Sequence, residues 1–189
     1  MSTLNIPPTG LVTDRLNLQP LNPADAAELL QYQLDNRQHL QPWEPLRDDV
    51  FYTIEAIQRR IAGMVQQMHE GNALYLLIRD AQRQSVIGEC NFTNIVRGPF
   101  QACHLGFSIS ASAQGKGLMH EALEHALAFV FETCALHRVM ANYRPENIRS
   151  GKLLARLGFE TEGTARAYLK INGNWADHVL TSCINDKMQ

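Results

Sequence analysis

Gln114-Gly115-Lys116-Gly117-Leu118-Met119-His120-Glu121-Ala122-Leu123 is the stretch whose reading decides the fold. Before it, Phe107-Ser108-Ile109-Ser110 reads as the end of a strand, and Ala111 to Gly117 as a short polar loop. After it, Leu118, Met119, Ala122, Leu123, Ala126, Leu127 and Val130 share one side of a helix, while His120, Glu121, Glu124 and His125 share the other. The loop therefore delivers two glycines to a helix N-terminus. There the first backbone N–H groups lack intrahelical acceptors and the aligned peptide dipoles favour an anion such as a phosphate. Glycine lets that anion approach the backbone closely. A glycine-x-glycine also serves ordinary strand-to-helix turns, so the loop needs support from elsewhere. It lacks the lysine-serine/threonine ending of a nucleotide-triphosphate loop, and it comes too late to open a Rossmann unit. A pyrophosphate cradle of another kind remains.

Together with Asn147-Ile148-Arg149-Ser150 and Leu157-Gly158-Phe159, this loop resembles the acetyl-CoA site of the GNAT N-acetyltransferases. The resemblance runs over nearly the whole chain. Leu40-Gln41-Pro42-Trp43-Glu44-Pro45, Asn94-Ile95-Val96-Arg97-Gly98, Met140-Ala141-Asn142-Tyr143 and Gly173-Asn174-Trp175-Ala176-Asp177-His178-Val179-Leu180 are most similar to the RimJ/RimL branch, the ribosomal-protein N-acetyltransferases, and within it to RimJ-type members. One position departs: Ser112 stands where the superfamily has glutamine or arginine.

The resemblance implies an α/β (α+β) GNAT fold: a mixed, largely antiparallel twisted sheet of about seven strands, with about four helices and a splayed parallel strand pair. It implies that pantetheine lies like an added strand against the main chain of Phe107, Ser108 and Ile109. The diphosphate would rest on Gln114, Gly115, Lys116, Gly117, Leu118 and Met119, with Asn142 and Asn147 orienting CoA. Ser150 would protonate the departing thiolate. Trp43, Glu44, Tyr168, Trp175 and Asp177 would line the acceptor side.

The general base is less defined. Related enzymes carry a carboxylate just before the aromatic of the last hairpin, but here Ala167 precedes Tyr168. Glu44, Glu89 and Asp177 are the carboxylates left, with Glu44 the first choice, and His104 is a further candidate by its ordinary pKa. An α-amine with pKa about 7.7–8.0 is roughly a tenth to a sixth neutral at pH 7, whereas a lysine is less than about a thousandth neutral. An N-terminal acceptor thus needs only a modest base.

Composition bounds the rest. The 189 residues, 45% hydrophobic, suit one domain over 1–189 with a real core. Lys plus Arg number 17 against 19 for Asp plus Glu, so the net charge of −2 gives no bulk attraction to nucleic acid, and a ribosomal partner would be met through a protein tail. The start, Met1-Ser2-Thr3-Leu4-Asn5-Ile6-Pro7-Pro8, shows no basic region followed by an apolar run, and no segment has the length to span a bilayer. A cytoplasmic protein is expected. Cys90, Cys103, Cys134 and Cys183 lie scattered in apolar runs, which favours buried thiols over zinc or disulfides.

In chain order, Leu11 to Leu21 reads as a first strand with one wet face, and Asn22-Pro23 caps a helix running to about Asn36. Arg37 to Asp49 reads as a loop. From Val50, apolar residues at Ile54, Ile57, Ile61, Met64 and Met68 mark a helix ending at Gly71. Strands are expected at Ala73 to Arg79, Val86 to Ile95 and Ala102 to Ile109, antiparallel because their connections are short. Arg138 to Tyr143 is a parallel strand after the helical crossover, Asn147 to Leu157 a second helix, and Asn172-Gly173 the turn of a last hairpin. Gly151 inside that helix implies a close neighbour, taken to be CoA.

The activity implied is acetyl transfer from acetyl-CoA to an amine, foremost the N-terminal α-amine of a ribosomal or other protein. Two other readings stay open: acetylation of a small amine such as an amino acid or polyamine, and a non-catalytic acyl-CoA-binding or ribosome-assembly role.

Overall fold

The computed structural model describes residues 7, 9–82 and 84–188. Its strands are β1 (Leu11–Val12), β2 (Leu16–Pro20), β3 (Leu74–Asp80), β4 (Val86–Val96), β5 (Ala102–Ile109), β6 (Arg138–Tyr143), β7 (Glu160–Ile171) and β8 (Asn174–Ile184). The helices are α1 (Ala26–Asp35), α2 (Arg37–Leu40), α3 (Ile54–His69), α4 (Leu118–Glu132) and α5 (Ile148–Arg156). The reading of residues 1–8 falls, Pro7 apart, outside the described residues.

The strands form one sheet in the order β1-β2-β3-β4-β5-β6-β8-β7, and every neighbouring pair is antiparallel except β5 with β6. β3 reads as continuously apolar because both its faces are covered. Leu74, Leu76 and Ile78 pack with Ala122, Leu123 and Ala126 of α4, while Tyr75 and Leu77 pack with Leu29 of α1 and Ile57 and Ile61 of α3.

Two expectations are corrected. The single first strand is two, because Thr13-Asp14-Arg15 breaks the ladder in a turn in which Leu16 N–H donates to Thr13 Oγ1 at 2.9 Å; hence eight strands among the described residues, where about seven were expected. The Arg37 to Asp49 loop contains one helical turn, α2, and a 3-10 turn at Gln41–Trp43, which raises the helix count to five. Pro42 sits in the first turn of that 3-10 segment, where a missing N–H costs nothing. The cap at Asn22 forms as read: its side chain accepts from Ala24 N–H, and Asp25 accepts in return from Asn22 N–H. Asn172 and Gly173 both have positive φ, 45° and 83°, the two-residue hairpin turn their sequence implies.

The parallel pair places the site. β5 and β6 are paired only at Ala102–Arg138, Cys103–Val139 and His104–Met140. Beyond that, β5 continues to Ile109 beside β4 alone, and β6 continues to Tyr143 beside β8 alone. A crevice opens between residues 106–108 of β5 and 142–143 of β6, and Asn147 and Ser150 at the start of α5 reach it.

Candidate active site

A cavity of about 460 Å³ occupies that crevice. Phe107 and Ser108 line one wall, Asn142, Tyr143, Asn147 and Ser150 the other, and Trp43 and Glu44 reach it from the loop after α2. That loop is held from two sides. Asn172 N–H of the hairpin turn donates to Glu44 O at 2.8 Å, and Arg144 Nη1 donates to Pro42 O at 2.9 Å. The structure thus brings together seven of the residues singled out from the sequence.

None of Gln114 to Met119 lines that cavity; the glycine loop is tied to the start of α5 through the bond from Arg149 Nη1 to Gln114 Oε1. Gly115 and Gly117 have φ of 74° and 76°, which glycine adopts without steric cost, and nothing stands within 4 Å of where a Cβ of Gly115 would be. Gly117 is the N-cap of α4 and offers no capping side chain, whereas Thr53 caps α3 and Asn147 caps α5. The first N–H groups of α4, from Leu118 and Met119 onward, are therefore left for an external acceptor. Gln114 is engaged elsewhere: its side chain bonds His39 Nε2 at 2.9 Å and accepts from Arg149 Nη1.

Asn147 Oδ1 accepts from Ser150 N–H at 3.2 Å. The hydroxyl of Ser150 makes no hydrogen bond to any described residue, so it does not serve as a local cap and is free to reach into the cavity it lines.

Gly151 has a close neighbour within the chain: a Cβ there would stand 2.8 Å from the Tyr143 ring. Alanine would gain about 1 kcal/mol of helix propensity but would push the ring off its rotamer at about 0.5–1.5 kcal/mol. Those terms cancel. Gly151→Ala is expected to melt within a few degrees of wild type, while kcat/KM for acetyl-CoA drops several-fold because Tyr143 lines the cavity. A melting scan beside steady-state kinetics checks this; unchanged kinetics would show that the ring can move without consequence.

The acceptor residues divide. Tyr168 does not line the cavity but contacts two residues that do, its hydroxyl accepting from Asn142 Nδ2 at 3.3 Å and its ring 5.6 Å from that of His178. Trp175 lies outside, 66% exposed and cross-strand from Lys170. Asp177 is also outside the cavity, its carboxylate accepting from Ala167 N–H at 2.8 Å across the bulge in β7. His104 does not line the cavity, and burial lowers its imidazole pKa.

The sequence underrated one residue. Glu89 stands directly across from Ser108 in the β4–β5 ladder and lines the cavity. Glu89 is half-buried. Burial pushes its carboxyl up to about 7; the nearby Glu44 charge adds to this, and Asn91, Arg60 and Ser108 pull it partly back. Burial also raises Glu44, against the pull of Arg47 and Arg60. Tyr32 on α1 was not singled out at all; its hydroxyl bonds Ser108 Oγ at 2.9 Å, and burial, with the Glu89 charge next, raises its pKa. In the sequence, Glu89 looks like the wet face of a strand. Only the register with Ser108 and the cover given by α1 and α3 reveal it.

The fold that carries this cavity, with its parallel strand pair and glycine-led helix, is shared with known proteins. Residues 15–160 match the acetyltransferase (GNAT) domain. The ribosomal protein uS5-alanine N-acetyltransferase of Escherichia coli is 49% identical over 179 residues, spanning 94% of this chain and 92% of that one. A ribosomal-protein-S5-alanine acetyltransferase from Vibrio fischeri superposes with a TM-score of 0.90 at 39% identity, covering 94% of this chain and 97% of its own. Mycobacterium smegmatis RimJ, solved with CoA-disulfide, gives a TM-score of 0.86 at 29% identity over 92% and 83%. With the family model spanning most of the chain and a relative 49% identical over nearly all of it, the chain belongs to the GNAT acetyltransferase family.

Proposed function

We propose that this chain, acting as one domain in the cytoplasm, acetylates the N-terminal α-amine of a ribosomal protein, with an alanine-initiated uS5 as the acceptor its relatives point to. The observation that carries the reading is Glu89: a carboxyl raised to about 7, placed in the cavity between the crevice and the Trp43–Glu44 loop. A base of that strength suits an amine of pKa about 7.7–8.0 and is far too weak to make a lysine side chain neutral.

Bound acetyl-CoA supplies the thioester carbonyl. Main-chain groups of Phe107, Ser108 and Ile109 hold the pantetheine arm, Gly115 to Met119 hold the diphosphate through backbone N–H groups, and Asn142 and Asn147 fix its approach. Glu89 accepts the proton of the attacking amine, directly or through one water. Ser108, held by Tyr32, keeps the carboxylate oriented. Glu44 draws in the acceptor terminus, whose neutral amine is the form that attacks and passes its proton to Glu89 as the C–N bond forms, and Trp43 and Tyr168 flank the peptide. Ser150 donates to the sulfur as the bond to the acetyl group breaks. Trp175 and Asp177 act outside the reacting centre, Asp177 by shaping the β7 bulge.

The test is CoA release with acetyl-CoA and a panel of amines at pH 7. The peptide carrying the uS5 N-terminus is expected to exceed an Nα-blocked lysine and polyamines by about a hundredfold in kcat/KM, following the neutral fractions of an α-amine and an alkylamine. A polyamine used as well as the peptide would sink the protein-acceptor reading, and no release with any amine would favour a binding role without catalysis.

A further inference from the structure

We propose that Arg15, in the turn between β1 and β2, is a positioning residue for the glycine loop, acting through Lys116 and Glu121 without touching the ligand. The inference stands on the reading that this loop holds the diphosphate of acetyl-CoA.

Arg15 reaches across more than a hundred residues of sequence to two points on that loop. Its Nη1 donates to Lys116 O at 2.9 Å. Its Nε and Nη2 bond Glu121 Oε2 at 2.6 and 2.5 Å, and its own N–H donates to Glu121 Oε1 at 3.1 Å. Thr13 Oγ1 adds a bond to Glu121 Oε1 at 2.5 Å. A Cβ on Gly117 would stand 3.6 Å from Arg15 Nη2, so the guanidinium lies against the helix cap itself. The break in the first strand at Thr13-Asp14-Arg15 now has a cause. It turns two side chains and one backbone N–H toward the start of α4.

Two effects follow. The Lys116–Gly117 peptide is planar and trans, so its C=O and N–H point in opposite directions. With the C=O pinned to Arg15, the N–H of Gly117 is fixed pointing away from Arg15 in the same plane, and the carbonyl is kept from turning toward an anion. The second effect is electrostatic. Glu121 sits in the first turn of α4, where the helix dipole favours an acid but a diphosphate alongside would be repelled by one. Partial desolvation would raise its carboxyl, yet the hydrogen bonds from Thr13 and Arg15 outweigh this and hold it below the ordinary range. The carboxylate stays ionised, and its charge is spent on Arg15.

The experiment compares acetyl-CoA with acetyl-pantetheine, which has the same thioester and arm but no diphosphate, using one acceptor peptide throughout. Arg15→Ala is expected to lower kcat/KM for acetyl-CoA about tenfold while acetyl-pantetheine changes less than about twofold, the scale of a lost charge-assisted bond network. Arg15→Lys is expected to recover little, because one ammonium cannot span Lys116 O and the carboxylate in the guanidinium's fork. Equal losses on both donors would reduce Arg15 to general support of the fold, and full recovery by lysine would reduce it to a point charge; either overturns the proposal. A wild-type protein with no preference for acetyl-CoA over acetyl-pantetheine would instead remove the diphosphate reading beneath it.

Discussion

Glu89→Gln is expected to lower kcat by about 10²- to 10³-fold, the range associated with losing a positioned general base. Glutamine keeps the shape and the hydrogen bonds but cannot take a proton. The pH profile separates this from misfolding. For kcat/KM with a peptide acceptor, two groups must be deprotonated: Glu89, with its midpoint near 7, and the α-amine at about 7.7–8.0. Below pH 7 the wild-type rate should therefore fall with a slope approaching two on a logarithmic plot, and the variant with a slope of one. Stability should move the other way. A carboxyl whose pKa is raised on folding stabilises the native state fully below its unfolded value, near 4.5, and that contribution is lost as pH rises through 7. Glutamine has no such loss, so the variant should melt at or above wild type at pH 8 while being far slower. An unchanged slope of two, with the rate intact, would move the base to Glu44 or to water.

What the sequence revealed tracks what is local. The glycine loop, the Asn22 and Asn147 caps and the Asn172-Gly173 turn each depend on a few consecutive residues whose backbone demands are visible in their side chains, and each formed as read. The parallel pairing of β5 with β6 was also legible, because a strand, a helix and a second strand in that order give a parallel pair within one sheet, whereas their splay was implied by the family resemblance alone. The errors lie where distant segments meet. Gly151 announced a close neighbour but not which one, since Tyr143 approaches it from another element. Asp177 and Glu89 are both acids on strands. One is spent on a bulge N–H and the other is aimed into a cavity, and a period of two cannot tell those cases apart. The break at Thr13 to Arg15 is invisible in an alternating pattern whose next residues resume it.

Ser150→Ala carries the second large effect, expected at about thirtyfold in kcat, or about 2 kcal/mol of transition-state stabilisation. The magnitude follows from the leaving group. A thiol near pKa 8.5 departs as thiolate at modest cost at neutral pH, so a hydroxyl that hydrogen-bonds the sulfur assists the step without being indispensable. The fold should not register the change. The helix cap uses the backbone N–H of residue 150, which alanine retains as donor to Asn147 Oδ1, and the serine hydroxyl has no partner among the described residues to lose. The melting temperature and the CoA dissociation constant should therefore stay near wild type, the latter within about threefold, since an interaction that strengthens as charge develops on sulfur contributes little to ground-state binding. Single-turnover measurements with enzyme in excess isolate the chemical step from product release. A wild-type single-turnover rate in the alanine variant would leave Ser150 with no part in the chemistry, and the sulfur's proton would then come from solvent.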